Sequence, residues 1–324
     1  MADPRAEISA KLKDLAKSWS SYSVTTHADM DFAGGGTLAN PIRAFDVKYI
    51  ETANGYRLMD QFATLKDGTI QHIADYCDGE KSANVSFDGA SRVVQRQIYI
   101  KKAFGIEDHG GPPWRPVPFK YHYAGKVPLH EIIPRSSYLG ERQFLSRPCH
   151  VFMIQDVDWV QGKKLVVVSL DSEHAVPLCY EVFDNQEHYE KGVPSLRWKA
   201  TAVEMRDSRS VQVRSVEETF ELKDVNAPRL VEASKYEVQD LKYNVSFEKS
   251  AFWPEVQPGV TVYDTIAKKY YQTPGEPSKP LSTTAEPIRA VDNESGTTPA
   301  TLLAFGLAGL LLLVATVLWW RGRS

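Results

Sequence analysis

Between residues 20 and 273 the chain breaks into short runs in which apolar and polar residues alternate, with turn dipeptides between them. Successive side chains on a strand point to opposite faces, so a period of two marks a half-buried strand and excludes an amphipathic helix. Phe45, Val47 and Tyr49 share one face of such a run, while Asp46 and Lys48 take the other. Asn54-Gly55, between Tyr49-Ile50 and Tyr56-Arg57-Leu58, is a strong hairpin signal, because both residues tolerate the positive φ of a tight turn. Lys66-Asp67-Gly68 and Asp88-Gly89 repeat it. The runs predict strands over 20–32, 42–52, 56–65, 69–77, 83–87, 91–102, 119–124, 148–157, 163–171, 176–184, 195–206, 210–221, 228–247 and 260–273. Short connections without interleaved long helices predict a mainly β fold, a curved antiparallel sheet or half-open barrel.

One helix precedes the sheet. Asp3 suits its N-cap and Pro4 its first turn, and Ile8, Leu12, Leu15 and Trp19 fall on one face. Lys11, Lys13, Asp14 and Lys17 cover the other. That apolar stripe is expected to dock on the concave side of the sheet. Two stretches interrupt the β rhythm. Residues 103–118 carry three Gly and four Pro and read as a long loop or lid. Residues 128–139 suggest a short helix around His130–Ile133.

The C-terminal part differs in kind. Residues 274–299 are rich in Pro, Ser, Thr and Glu without an apolar period, which predicts a flexible linker after a β domain over 1–273. Ala300 to Trp320 holds 21 uncharged residues, eight of them Leu. As a helix these span about 31 Å, the thickness of a bilayer's hydrocarbon core, so one C-terminal transmembrane helix is predicted over 300–320. Trp319, Trp320, Arg321 and Arg323 read as its membrane-interface residues, and 321–324 as a basic tail. Arginine after the span places the tail in the cytoplasm and the β domain outside it, in the periplasm. The polar start, MADPRAEISA, has no signal-peptide apolar region. The favoured expectation is that an export signal precedes this sequence; the alternative is a tail-anchored protein that faces the cytoplasm.

The formal net charge is −3, with 38 Lys and Arg against 41 Asp and Glu, so nucleic acid is not an expected partner. Cys77, Cys149 and Cys179 are odd in number and far apart, which argues against a disulfide framework or a zinc ribbon. His27 shares a strand face with Asp29 and Asp31 but lacks a second His or Cys at ligand spacing. Cys149 and His150 are strand neighbours on opposite faces, and His72 opposes Asp75 and Cys77. No nucleophile elbow, phosphate loop, dinucleotide motif or HExxH motif occurs. No cofactor or metal is expected, and no enzyme activity is indicated.

The order of one helix ending at Trp19, the run SSYSVTTHADMDF and then a meandering sheet punctuated by Phe87-Asp88-Gly89 resembles the periplasmic lipoprotein-carrier superfamily, the LolA/LolB-like fold. Phe252-Trp253-Pro254, Pro258-Gly259-Val260 and the segment Tyr138–Phe152 are similar to stretches of carrier-like envelope proteins of planctomycete type. The resemblance covers about 4–273 and implies an unclosed barrel over a helix, with an apolar cavity for acyl chains or a hydrophobic peptide. It carries no ligand-contacting residue over. Two functions follow: binding of a lipid or of lipoprotein acyl chains, or an envelope protein–protein interaction or regulatory role without a small ligand. Phe45, Val47, Tyr49, Leu58 and Phe62 are the candidate lining of a cavity expected beneath 103–118.

Overall fold

Turn chemistry and alternation translate into strands almost run for run. The computed structural model describes residues 3–31, 41–87, 95–103, 119–159, 162–224 and 226–274. Helix α1 spans Pro4–Lys17; the Asp3 carboxylate caps it by accepting from the Arg5 amide at 3.0 Å. The first group of strands is β1 (Ser21–Asp31), β2 (Ile42–Thr52), β3 (Arg57–Leu65), β4 (Ile70–Cys77), β5 (Lys81–Phe87) and β6 (Gln95–Lys102). A 3-10 turn at Lys120–His122, the small hairpin β7 (Tyr123–Ala124) and β8 (Val127–Pro128), helix α2 (Leu129–Ile132) and a second 3-10 turn at Ile133–Arg135 follow. The second group is β9 (Ser137–Phe144), β10 (Arg147–Trp159), β11 (Gly162–Asp171), β12 (Pro177–Phe183), β13 (Leu196–Arg206), β14 (Arg209–Glu221) and β15 (Arg229–Tyr243), with helix α3 (Gln186–Glu190) after β12. A last hairpin, β16 (Thr261–Asp264) and β17 (Lys269–Gln272), closes the described chain.

These strands form one 15-stranded sheet in the order β17-β16-β6-β5-β4-β3-β2-β1-β15-β14-β13-β12-β11-β10-β9. Two wings meet where β1 pairs with β15, Tyr22 opposite Tyr243 and Asp31 opposite Ala233. The pairing is antiparallel except where β16 lies parallel to β6. A parallel partner requires a crossover. Residues 244–260 supply it across the outer face of the first wing, where Phe252 stacks on Tyr56 and Trp253, Val256 and Val260 join Val85, Ile98 and Val262. Register shifts at Thr25/Thr26, Ile154/Val157, Ala200/Ala202 and Thr219/Phe220 introduce the bulges that bend such a sheet.

The expected fold class is corrected in several respects. Among the described residues no helix is long and apolar enough to cross a membrane, and α1, the longest, has 14 residues against the ~20 that a span requires. The segment 300–320, with Trp319, Trp320, Arg321 and Arg323, lies outside the described residues, as do 104–118, 275–299 and 321–324. The expected curved sheet packed on an N-terminal helix is present as one large 15-stranded sheet, with the helix over its second wing. The strand expected at 119–124 is a 3-10 turn and a two-residue strand, and 260–273 is a hairpin. Strand β9 was not expected. Its burial alternates between exposed and half-buried, without a fully buried position, so an edge strand lacks the apolar signal that marks its neighbours.

Candidate functional site

Ladder register defines the face that meets α1. Tyr138, Phe152, Val168, Tyr180 and Trp198 lie opposite one another across β9 to β13, and the row continues through Glu217 and Ser234 to Met30. Ile8 and Leu12 of α1 are buried against this inner face, and Leu15 packs partly on it. Polar ties fix the helix: the Ser9 hydroxyl donates to the His130 carbonyl at 2.6 Å and the Lys11 ammonium to the Ser172 carbonyl at 2.7 Å. Trp19, just past the helix, meets Tyr22 edge-on at 4.8 Å.

Beneath the last turns of α1 lies an apolar cavity of about 80 Å³. Leu12, Leu15, Ala16 and Trp19 line it from the helix side, Val211, Gln212 and Tyr243 from the sheet, and Phe119 and His122 from the 3-10 turn. Phe119 is held there by stacking on Tyr22 at 4.0 Å. The β7–β8 hairpin that follows lies tight on β10 because Gly125, at φ +60°, has no Cβ; one there would collide with the Asp158 carbonyl. A second, wider cleft of about 310 Å³ lies between Arg135, Ser137 and the β10 residues Met153–Asp156, lined as much by polar as by apolar groups.

The same 3-10 turn that sends Phe119 into the cavity carries a charged cluster onto the middle of the inner face. The Lys120 ammonium donates to both Glu217 oxygens, at 2.8 and 3.0 Å, and the Tyr121 hydroxyl also donates to that carboxylate. Tyr121 stacks on Trp198 at 4.7 Å, and the Tyr180 hydroxyl donates to the Tyr123 carbonyl. Burial disfavours the Lys120 charge, but Glu217, backed by Tyr236 and Glu232, holds the ammonium above the ordinary lysine range. Burial, reinforced by the Glu217 carboxylate, lifts Glu232. Beside the cluster the Trp198 indole N–H and the Ser215 hydroxyl are buried without a hydrogen-bond partner among the described residues. The cluster anchors the turn and therefore the cavity wall. Sequence could not find it, since Lys120 and Glu217 are 97 residues apart.

The candidate lining residues fall on two faces. Phe45, Val47 and Tyr49 are on the inner face, opposite Ala28, Thr26 and Val24 of β1. Leu58 and Phe62 pair with Ile50 and Asp46 and therefore occupy the outer face. There Phe62 and Phe87 stack on the two sides of His72, whose Nε2 lies 2.5 Å from Asp60. His27 lies with its Nδ1 2.7 Å from Asp46 and its Nε2 3.5 Å from Asp29. The three cysteines are buried free thiols, and burial pushes Cys149 and Cys179 up to about 11, which leaves them inert as nucleophiles near neutral pH.

No protein-family model matches this chain, and no curated protein does. Solved structures are similar to it. One, from Vibrio parahaemolyticus, is described as an outer membrane lipoprotein-sorting protein domain: 14% identity over 76% of this chain and 95% of the other, TM-score 0.46. A LolA superfamily protein from Nitrosomonas europaea is 11% identical over 78% and 99%, TM-score 0.44. A DUF1329 family protein from Desulfovibrio piger is 11% identical over 78% and 98%, TM-score 0.40. At such scores these likenesses carry no argument. The architecture of this chain itself is one N-terminal helix against a single curved sheet.

Proposed function

We propose that this chain is a cell-envelope domain, working outside the cytoplasm, that binds a hydrophobic ligand between α1 and the inner face of the sheet. The observation that carries the reading is the apolar cavity under Leu15 and Trp19, the two helix-side residues that stay only partly buried while Ile8 and Leu12 are sealed. Its volume of about 80 Å³ is well below the ~300 Å³ of a pocket that encloses a whole small molecule. It therefore takes the end of an acyl chain, and a longer chain enters by lifting the last turns of α1. A lipid or the acyl groups of a lipoprotein are the ligand classes that fit an opening of this kind.

The test uses an environment-sensitive dye bound to the full chain and displaced by a long-chain fatty acid. Ala16→Trp, which fills the cavity, is expected to abolish the displacement while leaving the far-ultraviolet circular dichroism unchanged. Lipid extracted from protein purified out of an envelope fraction gives an independent reading. Absence of both displacement and extracted lipid from a folded protein overturns the proposal. The second reading, a protein-interaction domain without a small ligand, then takes its place. Two observations favour it: the small size of the cavity, and the exposure of Leu139 and Leu145 at the β9 edge of the sheet.

A further inference from the structure

At the far end of the first wing the inner face changes character. Register places Tyr49, Met59, Asp75, Asn84, Tyr99, Tyr263 and Tyr270 in one row across β2 to β6, β16 and β17. Tyr99 and Tyr263 stack at 4.7 Å and 9°, and Tyr270 leans on Tyr263 at 4.7 Å, so the three rings stand in file. Tyr270 ends the file and is 61% exposed, which leaves its outer ring face open. The Asn84 amide donates to Asp75 at 2.8 Å on the other side of Tyr99.

The fixed charges of this face cancel. Asp75 faces Lys101 and Arg57, and Arg57 also faces Glu51. The other polar groups of these rows, among the described residues, are neutral: the phenol hydroxyls of the file, the Asn84 amide and, in the adjacent row, Gln97, all but Tyr270 half-buried. The Ser82 hydroxyl, between Cys77 and Lys101 in the ladder, is buried and has no hydrogen-bond partner among the described residues.

From this we infer that the face around Tyr99, Tyr263 and Tyr270 binds a neutral oligosaccharide. Each sugar ring offers an apolar C–H face, which suits the open side of Tyr270, and a rim of hydroxyls, which pair with uncharged donors and acceptors. A charged ligand would find no uncompensated partner among the described residues of this face, and an acyl chain would cover the polar edge of the tyrosine file and Gln97 without offering them a hydrogen-bond partner. The site is separate from the cavity under α1 and does not depend on it.

Isothermal titration calorimetry of the full chain against four neutral tetrasaccharides, β-1,4-linked glucose, N-acetylglucosamine and mannose and α-1,4-linked glucose, tests it. At least one is expected to bind. Tyr270→Ala and Asn84→Ala are each expected to weaken it about tenfold, and Ala16→Trp to leave it unchanged. Tyr270 is mostly exposed, so its variant folds normally, and Tyr263→Phe, which removes only a hydroxyl, gives a milder second variant. Binding of none of the four, or binding that survives the double variant Tyr270→Ala/Asn84→Ala, overturns the inference. So does binding of a proline-rich peptide at the same residues without any saccharide.

Discussion

The two wings of the sheet bury opposite faces. In the second wing the largest side chains, Trp198, Tyr180 and Phe152, point inward under α1. At the far end of the first wing Val85, Ile98 and Val262 point outward under the 244–260 crossover, and the inner face there is polar. Between them Tyr22, Val24, Val47 and Tyr49 still face inward with Phe119 and Val211. Which face is buried is thus set by the element available to cover it. One helix of 14 residues cannot cover 15 strands, so the crossover takes the other side of the remaining wing.

Substitutions at matched depth test that contrast, and Trp198→Ala should have the largest effect. Trp198 is fully buried and stacked on Tyr121, so its loss should cost about 3–5 kcal/mol, read as a lowered urea midpoint. Ile98→Ala, equally buried on the opposite face, should cost about 2–4 kcal/mol in the same transition. Two separate transitions, one moved by each variant, would show that the wings unfold independently and break the picture of one sheet.

Lys120→Met addresses the junction. It leaves Glu217 with Tyr121 alone in a partly shielded place, at a cost of about 1–3 kcal/mol. It should also increase protease cleavage around Phe119, because the turn loses its anchor.

Acidity separates the cluster from the surface. Burial raises Glu232 above its unfolded value of 4.5, so the native state holds that proton more tightly than the unfolded chain. The stability contribution of the group is therefore fullest at low pH and is lost as pH rises from 4.5 through the folded value. Glu232→Gln removes this slope: its urea midpoint should match wild type near about pH 4 and exceed it near about pH 7. The smallest effect is expected at His27. Its hydrogen bond to Asp46, opposed by desolvation, raises its pKa, and the stabilisation is present below 6.5 and lost as pH rises through the folded value. The pair is exposed, so His27→Ala should change the midpoint by less than ~0.5 kcal/mol at any pH.

Much of the fold is legible in the residues themselves. Asp3-Pro4 starts α1, Ile8 and Leu12 supply its buried stripe, and Asn54-Gly55 and Asp67-Gly68 set their hairpins, because caps and tight turns are local and depend on residues a few positions apart. The alternation of Phe45, Val47 and Tyr49 correctly puts them on one face. It could not say that Leu58 and Phe62 lie on the other, since parity within one strand says nothing about parity across a hairpin until the register is known. Strand β9 and the Lys120–Glu217 anchor were invisible for a related reason: an edge strand needs no apolar face, and an ion pair 97 residues apart leaves no spacing to read. Short-range periodicity and backbone preference therefore account for the β architecture, the helix and the turns. Where the sheet changes its buried face, and where the cavity and the tyrosine row lie, follows instead from register, bulges and the crossover, which bring together residues that the chain keeps far apart.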